Sequence, residues 1–261
     1  MNQKRDQDAM ALDTIQTTRQ TVILAAGFGS RLSPSRGEVP KPLVTVAGRT
    51  LLEHALGQAA AAGVQEAVIV LGNAADQLRA HLAQVRTPLS LRLVYNDRFH
   101  EPNGVSLLSA APYITGAFYL QMADHLFERP VLSLLDRAQG RAGASRLLVD
   151  FAPSDFDEAD ATKVRVREGR IAAIGKDVYP YDAVDTGYFR LDPSIFAALR
   201  EVQRVEPPSV TLGMRRLIAE GRLEAVAVAG VSWTDVDTPE DFARAASLLG
   251  EGTSRRAVAV A

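Results

Sequence analysis

An apolar run that leads straight into a glycine-rich, basic loop is the feature that most constrains the fold of this chain. The run VILAA begins at Val22 and is followed by GFGSR, which ends at Arg31. Gly27 and Gly29 have no Cβ, so backbone N–H groups beside them can approach a polyanion closely. Arg31 and Lys41 add fixed positive charge near the same point. The segment therefore predicts a loop that binds a nucleoside triphosphate at the end of a first, buried strand.

The spacing of this loop separates it from two other phosphate-binding loops. It has no third glycine at the spacing of the dinucleotide fold, and it lacks the GK[ST] string of a Walker A loop. The chain instead reads LAAGFGSRL over residues 24–32 and PKPL over residues 40–43. This two-part pattern resembles the signature of nucleotidyltransferases that activate sugar phosphates and related alcohol phosphates. The resemblance implies an enzyme that transfers a nucleotidyl group.

The composition favours one sizeable α/β domain and excludes several classes of chemistry. The chain has 261 residues, 47% of them apolar, which is enough for a substantial core. Its net charge of −2 argues against nucleic acid as the main partner, because phosphate backbones select basic surfaces. The absence of cysteine excludes disulfides, thiolate nucleophiles and cysteine metal sites. There is no N-terminal signal region and no apolar stretch of about 18 residues, so we expect a cytoplasmic protein without membrane insertion.

Apolar periodicity and turn residues predict an alternation of strands and helices along the chain. Strands are predicted at 21–26, 66–71, 89–95, 116–122, 145–151, 185–190 and 223–228. Helices are predicted at 50–62, 74–84, 103–110, 127–139, 192–202, 209–220 and 238–249. We expect these elements to form one domain over residues 20–249, with disordered tails at 1–19 and 250–261.

The order of these elements predicts the fold class. Strands that alternate with helices indicate a Rossmann-like, three-layer α/β fold, with a mostly parallel sheet and helices on both faces. Later in the chain, two short runs at 163–167 and 170–174 are joined by Glu168 and Gly169. This pattern is typical of a β-hairpin, so we expect a small hairpin lobe beside the main sheet.

Three aspartates stand where a metal ion beside a triphosphate would need ligands. Asp124 follows the predicted strand 116–122, and Asp235 and Asp237 lie in WTDVDTPED just before the last predicted helix. Two carboxylates from separate segments that converge near a triphosphate form a common Mg²⁺ site. Taken alone, Asp124 also suits a surface turn, and Asp237 suits a helix cap. The spacing does not decide between Asp235 and Asp237, since both share a face in extended backbone.

Four later segments extend the resemblance beyond the loop. They read EPNGVSLLS at 101–109, ADATKVRVREGRIAAIGKD at 159–177, DTGYFRLDPSIF at 185–196 and WTDVDTPED at 233–241. Together they resemble the CTP:inositol-1-phosphate cytidylyltransferases, over residues 21–249. The resemblance implies a Mg²⁺-dependent enzyme that joins CTP and inositol 1-phosphate to form CDP-inositol, with release of pyrophosphate.

The same resemblance implies roles for individual positions. Arg31 and Lys41 would neutralise the nucleotide phosphates, and Lys176 would bind the phosphate of the acceptor. Asp185 would contact acceptor hydroxyls beneath the hairpin lobe. Apart from the resemblance, the position of His125 next to Asp124 favours a role in supporting the metal ligand or touching the acceptor over a role as a base. The implied nucleotide-binding residues are Leu24, Ala25, Ala26, Gly27, Phe28, Gly29, Ser30, Asn103, Gly104 and Ser106.

The implied reaction needs no general base. The sequence does not decide the identity of its two substrates. A phosphate monoester is already mostly a dianion at neutral pH, so catalysis would rest on positioning and charge neutralisation. Ala123 stands where the family usually has glycine, which bears on the shape of the acceptor pocket. Alternatives are another acceptor (a sugar 1-phosphate, another cyclitol phosphate, phosphocholine or a phosphonate) or another nucleotide such as UTP or dTTP. A nucleotide-binding module without turnover is a further alternative.

The resemblance also bears on partners. In many relatives this domain is fused to a membrane-embedded synthase that consumes CDP-inositol. The sequence contains no such segment, so we expect either that a separate membrane synthase uses the product or that the product has another fate. For the oligomeric state, only general frequencies favour a homodimer.

Overall fold

A computed structural model describes residues 18–29, 39–138, 140–141, 143–154 and 156–258, with side chains up to residue 250. Ser30 and Arg31 of the predicted nucleotide loop lie outside these ranges, as does the predicted N-terminal tail up to residue 17. The strands are β1 Gln20–Ala25, β2 Thr45–Val46, β3 Arg49–Thr50, β4 Glu66–Leu71, β5 Ser90–Tyr95, β6 Phe118–Met122, β7 His125–Phe127, β8 Ser145–Asp150, β9 Lys163–Arg167, β10 Arg170–Gly175, β11 Ala183–Leu191, β12 Leu223–Ala227 and β13 Trp233–Asp235. The helices are α1 Leu51–Ala61, α2 Ala75–Leu82, α3 Asn103–Ala110, α4 Leu132–Arg137, α5 Ser194–Gln203, α6 Val210–Ala219 and α7 Pro239–Val258.

The main sheet has nine strands in the order β5-β4-β1-β6-β11-β8-β12-β10-β9. The first four of these strands are parallel neighbours, as predicted. The second half is mixed, because β11 runs antiparallel to both β6 and β8, while β12 is parallel to β8. A mostly parallel sheet is therefore confirmed for the N-terminal half only. Of the antiparallel pairs among the described residues of this half, only β9 and β10 are consecutive strands joined by a tight turn.

The predicted hairpin is formed by β9 and β10. Its two turn residues, Glu168 and Gly169, have φ angles of 50° and 74°, which suits a tight turn between twisted strands. However, β10 also pairs with β12, and β9 pairs with β11. The hairpin therefore continues the main sheet and curls it back towards β11, and does not form a sheet of its own.

Side chains that alternate along the strands divide between two apolar cores, one on each face of the sheet. Val22 of β1 packs in the core that α3, α5 and α6 cover. Its neighbour Ile23 packs in the opposite core, which α1, α2 and α4 cover. Both side chains are fully buried. Helices thus pack on both faces of the sheet.

The predicted helix over 127–139 is wrong in its first part. Residues 125–127 form β7 and pair with β13, with Trp233 opposite Phe127 and Asp235 opposite His125. The helix α4 begins only at Leu132. Pro130 explains the delay, because the residue before a proline is disfavoured in helical conformation. Strands of three residues are too short to show an alternation of apolar and polar side chains, so β7 and β13 were not predicted from the sequence.

The last helix begins as predicted but is longer. The Thr238 hydroxyl accepts the N–H of Asp241 at 3.2 Å, and the Asp241 carboxylate accepts the N–H of Thr238 at 2.8 Å. This reciprocal cap fixes the start of α7. The helix then continues past Leu249 to Val258. No helix in the described part of the chain has the length and apolarity needed to cross a membrane.

Candidate active site

A cavity of about 310 Å³ lies at the carboxyl ends of β1 and β6. The two strands are adjacent and parallel, with Leu24 paired to Met122, so the segments that follow them meet at one edge of the sheet. The predicted residues that line this cavity are Leu24, Ala25, Ala26, Gly27, Gly29, Lys41, Asn103, Ser106, Asp124 and Asp237. The geometry thus brings most of the predicted nucleotide-binding residues together with two of the predicted metal ligands. We refer to it as the nucleotide cavity.

Gly29 shows why the loop after β1 needs glycine. Its φ angle is 59°, in the left-handed region, and a Cβ there would lie 2.5 Å from the Cβ of Lys41. A larger residue would therefore clash with Lys41 in an already strained backbone conformation. The close approach of the loop to Lys41 depends on this glycine.

Lys41 joins two carboxylates at one wall of the cavity. Its Nζ lies 2.6 Å from Asp124 Oδ2 and 2.5 Å from Asp237 Oδ1. Burial by itself lowers the pKa of Lys41, but the two carboxylates outweigh it, and the net pKa is raised. Burial likewise opposes ionisation of Asp124, yet Lys41 and then His125 hold the pKa of Asp124 well below its usual range. Lys41 and Asp124 are therefore both charged at neutral pH.

A small apolar cluster beneath these charges holds the three loops together. Val44, Leu126 and Val236 pack in it, and each lies within three residues of one charged group. The N–H of Val236 also donates to the carbonyl of Asp124 at 3.0 Å. Residues far apart in sequence therefore converge because their apolar neighbours share one core.

The arrangement favours Asp237 over Asp235 as the partner of Asp124. One ammonium already contacts both Asp124 and Asp237, so a metal ion at the same place would reach both carboxylates. Thr238, and not Asp237, caps α7, and Asp237 lines the cavity. Asp235 lies in β13, where burial raises its pKa. Within the described ranges, no group of three or more His, Cys, Asp or Glu residues is arranged to hold a metal. Two carboxylates completed by substrate phosphates nevertheless fit the way proteins bind Mg²⁺.

A second, larger cavity of about 560 Å³ shares the Asp124 and Asp237 wall. Lys176 and Asp185, the two residues predicted to bind the acceptor, both line it. The ammonium of Lys176 contacts the carboxylate of Asp160. The Asp185 carboxylate accepts the N–H of Gly187 at 2.7 Å, and burial raises its pKa to about 6. We call this space the acceptor cavity.

Three predicted residues have structural contacts that their roles did not anticipate. Gly104 lies beside the nucleotide cavity, where a Cβ would be 2.5 Å from the carbonyl oxygen of Pro208. Asn103 lines the cavity, but its Oδ1 accepts the N–H of Val210 at 2.9 Å. Phe28 is half exposed, and its ring centroid lies 5.3 Å from that of Phe99.

Several lining residues were missed from the sequence, among them Glu101 and Trp233. Glu101 lines the nucleotide cavity and is held by two hydrogen bonds from the Arg98 guanidinium, at 2.6 and 2.8 Å. Trp233 lines the acceptor cavity, stacks on His125 and donates its indole N–H to Asp150 at 2.8 Å. Both residues lie inside the motifs quoted above, so their position in those motifs could have indicated a place in the site. Neither glutamate nor tryptophan indicates a ligand contact by its residue type alone.

Residues 21–152 match the MobA-like NTP transferase domain. The chain belongs to this family. Members of the MobA-like NTP transferase family generally use a divalent metal ion.

Two relatives with curated names are similar to this chain over most of its length. The chain is 37% identical over 229 residues to a bifunctional IPC transferase and DIPP synthase of Aquifex aeolicus, covering 87% of this chain and 51% of the relative. A protein of the same name from Archaeoglobus fulgidus is 37% identical over 227 residues, or 87% of this chain and 43% of the relative. The chain thus spans about half the length of these relatives.

Solved structures share the whole fold. The inositol-1-phosphate CTP transferase from T. maritima superposes with a TM-score of 0.81 at 25% identity, over 90% of this chain and 96% of that one. A UDP-glucose pyrophosphorylase complexed with UDP-glucose gives a TM-score of 0.76 at 19% identity, over 90% of this chain and 99% of that one, which shows the fold alone.

Proposed function

We propose that this protein is a Mg²⁺-dependent cytidylyltransferase that forms CDP-inositol from CTP and inositol 1-phosphate. The observation that carries the proposal is that Asp124 and Asp237 line both cavities, with the Lys41 ammonium held between them on the nucleotide side. One cavity follows the triphosphate loop, and the other holds a lysine and a buried carboxylate suited to a phosphorylated polyol. The relatives named for inositol phosphate chemistry support the choice of acceptor.

The reaction would take place at the wall that these carboxylates form. A phosphate oxygen of the acceptor attacks the α-phosphorus of CTP, and a new P–O bond forms. The bond between the α-phosphorus and the oxygen bridging to the β-phosphate breaks, and pyrophosphate leaves with that electron pair. The acceptor phosphate is mostly a dianion at neutral pH, so no side chain has to remove a proton.

Charge neutralisation would supply most of the rate enhancement, because both reactants are anions. Asp124 and Asp237 would hold Mg²⁺, which would supply positive charge to offset the negative charge of the phosphates. Lys41, freed from those carboxylates, would turn to the nucleotide phosphates, and Arg31 would add charge from the loop. Lys176 would bring the acceptor phosphate to the wall against the repulsion of CTP.

The acceptor cavity would recognise hydroxyls through carboxylates. Asp185 and Asp235 both line it, and a carboxylate oxygen accepts hydrogen bonds from more than one hydroxyl. The β9–β10 hairpin ends at Gly175 and delivers Lys176 to the same cavity, so it would form one side of the acceptor site. A cyclitol phosphate, with several hydroxyls and one phosphate, suits this combination.

The test is release of pyrophosphate with Mg²⁺ from each of five nucleotides, namely CTP, UTP, ATP, GTP and dTTP. Each is paired with inositol 1-phosphate, phosphocholine and glucose 1-phosphate. We expect release with CTP and inositol 1-phosphate at least tenfold faster than with any other pair. Faster release with another pair would replace the substrate. No release with any pair would contradict the proposed activity.

A further inference from the structure

Lys163 is a buried lysine that the proposed reaction does not use. It is the first residue of β9 and is only 8% exposed. Its Nζ donates to the carbonyl oxygen of Glu158 at 2.6 Å and to that of Lys176 at 3.0 Å. The same ammonium lies 5.9 Å from the centre of the Tyr181 ring. The side chain thus sits behind the wall of the acceptor cavity, with its charge directed at backbone oxygens.

The two carbonyls belong to the two segments that carry an ion pair of the cavity. Glu158 lies in a turn in which the N–H of Ala161 donates to the carbonyl of Asp157 at 2.9 Å. That turn presents Asp160, whose carboxylate contacts the ammonium of Lys176. One buried ammonium therefore fastens the backbone on both sides of the Asp160–Lys176 pair.

The hairpin alone does not fix the position of Lys176. The last register pair of the hairpin joins Gly175 to Lys163, so Lys176 is one residue beyond the ladder. Beyond that point the hydrogen bond from Lys163 holds the Lys176 carbonyl. A buried charge is costly unless it is hydrogen-bonded, and the two carbonyl oxygens of Glu158 and Lys176 accept the hydrogen bonds of the Lys163 ammonium. An apolar side chain would fill the same space without the cost of burying a charge. The Lys163 ammonium therefore does more than fill space, because it holds two backbone carbonyls.

We propose that Lys163 is a positioning residue for the acceptor. It sets the place of the Lys176 ammonium relative to the Asp160 turn, and thereby the place of the acceptor phosphate relative to the wall of Lys41, Asp124 and Asp237. The proposal rests on the function proposed above, in which Lys176 binds the acceptor phosphate. Lys163 itself touches neither substrate.

The experiment compares Lys163→Met with Lys163→Arg in steady-state kinetics, varying CTP and inositol 1-phosphate separately. Lys163→Met keeps the length of the side chain but has no donor, whereas Lys163→Arg keeps several donors. We expect Lys163→Met to raise KM for inositol 1-phosphate about tenfold and KM for CTP less than about twofold, which corresponds to the loss of one or two positioned hydrogen bonds. Lys163→Arg should restore KM for inositol 1-phosphate to within about threefold of wild type.

Arg167→Met, at the exposed far end of β9, is the matched control and should leave both constants unchanged. An equal rise in both KM values, or a lower Tm with both KM values unchanged, would overturn the proposal. If Lys163→Met does not fold, Lys163→Gln is judged by the same ratio. The activity of wild type is measured first against the three acceptors, so a wrong acceptor is recognised separately, and the ratio is then measured with the acceptor that is turned over.

Discussion

The nucleotide cavity takes much of its lining from short, continuous segments that follow β1 and β6, whereas the acceptor cavity is largely assembled from segments spread between residues 156 and 244. The first is built on neighbouring parallel strands in the middle of the sheet. The second depends on loops, on the end of a hairpin and on side-chain contacts such as those of Lys163 and Lys176. Main-chain pairing of β1 and β6 therefore positions the lining of the nucleotide cavity. Individual side-chain contacts position the lining of the acceptor cavity.

This difference predicts how substitutions divide between kinetic constants. Changes at the wall that both cavities share should lower kcat, because the wall faces the reacting phosphates. Changes confined to the acceptor cavity should raise KM for the acceptor alone. Each of the following experiments tests that division.

The largest effect is expected for Asp124→Ala, which removes a carboxylate from the shared wall and leaves Lys41 with Asp237 alone. We expect kcat to fall by about 10²-fold or more, as for the loss of a major electrostatic contribution. The measurement is pyrophosphate release as a function of Mg²⁺ concentration. Asp76→Ala is the control, because the Asp76 side chain is 99% exposed. Near-normal rates in Asp124→Ala would remove Asp124 from the site.

Lys41→Met should cost a similar factor of about 10² in kcat. It should also change the response of the folded protein to Mg²⁺. Without the ammonium, Asp124 and Asp237 repel each other, so Mg²⁺ should raise the Tm of the variant by a few degrees more than that of wild type. Thermal unfolding with and without Mg²⁺ measures this, with Arg79→Met at the surface as control. Equal shifts in variant and wild type would argue against a shared cation position.

A comparison of Asp237→Asn with Asp235→Asn decides between the two candidate metal ligands. Because Asp237 shares the Lys41 ammonium with Asp124, we expect Asp237→Asn to lower kcat at least about tenfold more than Asp235→Asn. Asp235→Asn should act mainly on KM for the acceptor. The reverse order of effects would assign the metal to Asp235.

Lys176→Ala should raise KM for the acceptor about tenfold and leave KM for CTP nearly unchanged, because its ammonium faces the acceptor cavity only. Arg170→Ala, on the same hairpin, is the control. An equal effect on both KM values would show that the two cavities do not divide the substrates as proposed.

Asp185→Asn should give the smallest effect on the reaction and a pH-dependent effect on stability. The pKa of Asp185 is raised by burial to about 6, from an ordinary value of 3.8. The folded state therefore binds this proton more tightly, and its stability falls as pH rises between those two values. At pH 7.5 the variant should be more stable than wild type by about 3 kcal/mol, and most of that difference should vanish at pH 4.5. The free energy of unfolding of both proteins is measured in urea at both pH values. An equal difference between variant and wild type at the two pH values would contradict a buried, charged Asp185.

The sequence indicated which residues of the nucleotide half would lie together, for a physical reason. Its residues follow one apolar strand directly, and the glycine at position 29 has a backbone conformation that other residues rarely adopt. The cap of α1 was equally readable, since the Thr50 hydroxyl accepts the N–H of Glu53 and the Glu53 carboxylate accepts the N–H of Thr50. Local interactions of this kind join residues at a fixed spacing, so they can be recognised in the sequence.

The acceptor half was harder to predict because its contacts join distant residues. The pairing of β7 with β13 depends on segments more than 100 residues apart, and neither strand is long enough to show a period. The choice of Asp237 over Asp235 as the partner of Asp124 depends on Val236 and Leu126 sharing one apolar cluster. The buried position of Lys163 depends on the turn at Glu158, which no spacing in the sequence indicates.

The most direct test of the central claim is to identify and count the products of wild-type protein with CTP, inositol 1-phosphate and Mg²⁺. Mass spectrometry and a pyrophosphate assay are applied to the same sample. The account predicts one CDP-inositol for each pyrophosphate released. Pyrophosphate accompanied by CMP and unchanged inositol 1-phosphate would show hydrolysis of CTP by water, and would contradict transfer to the acceptor.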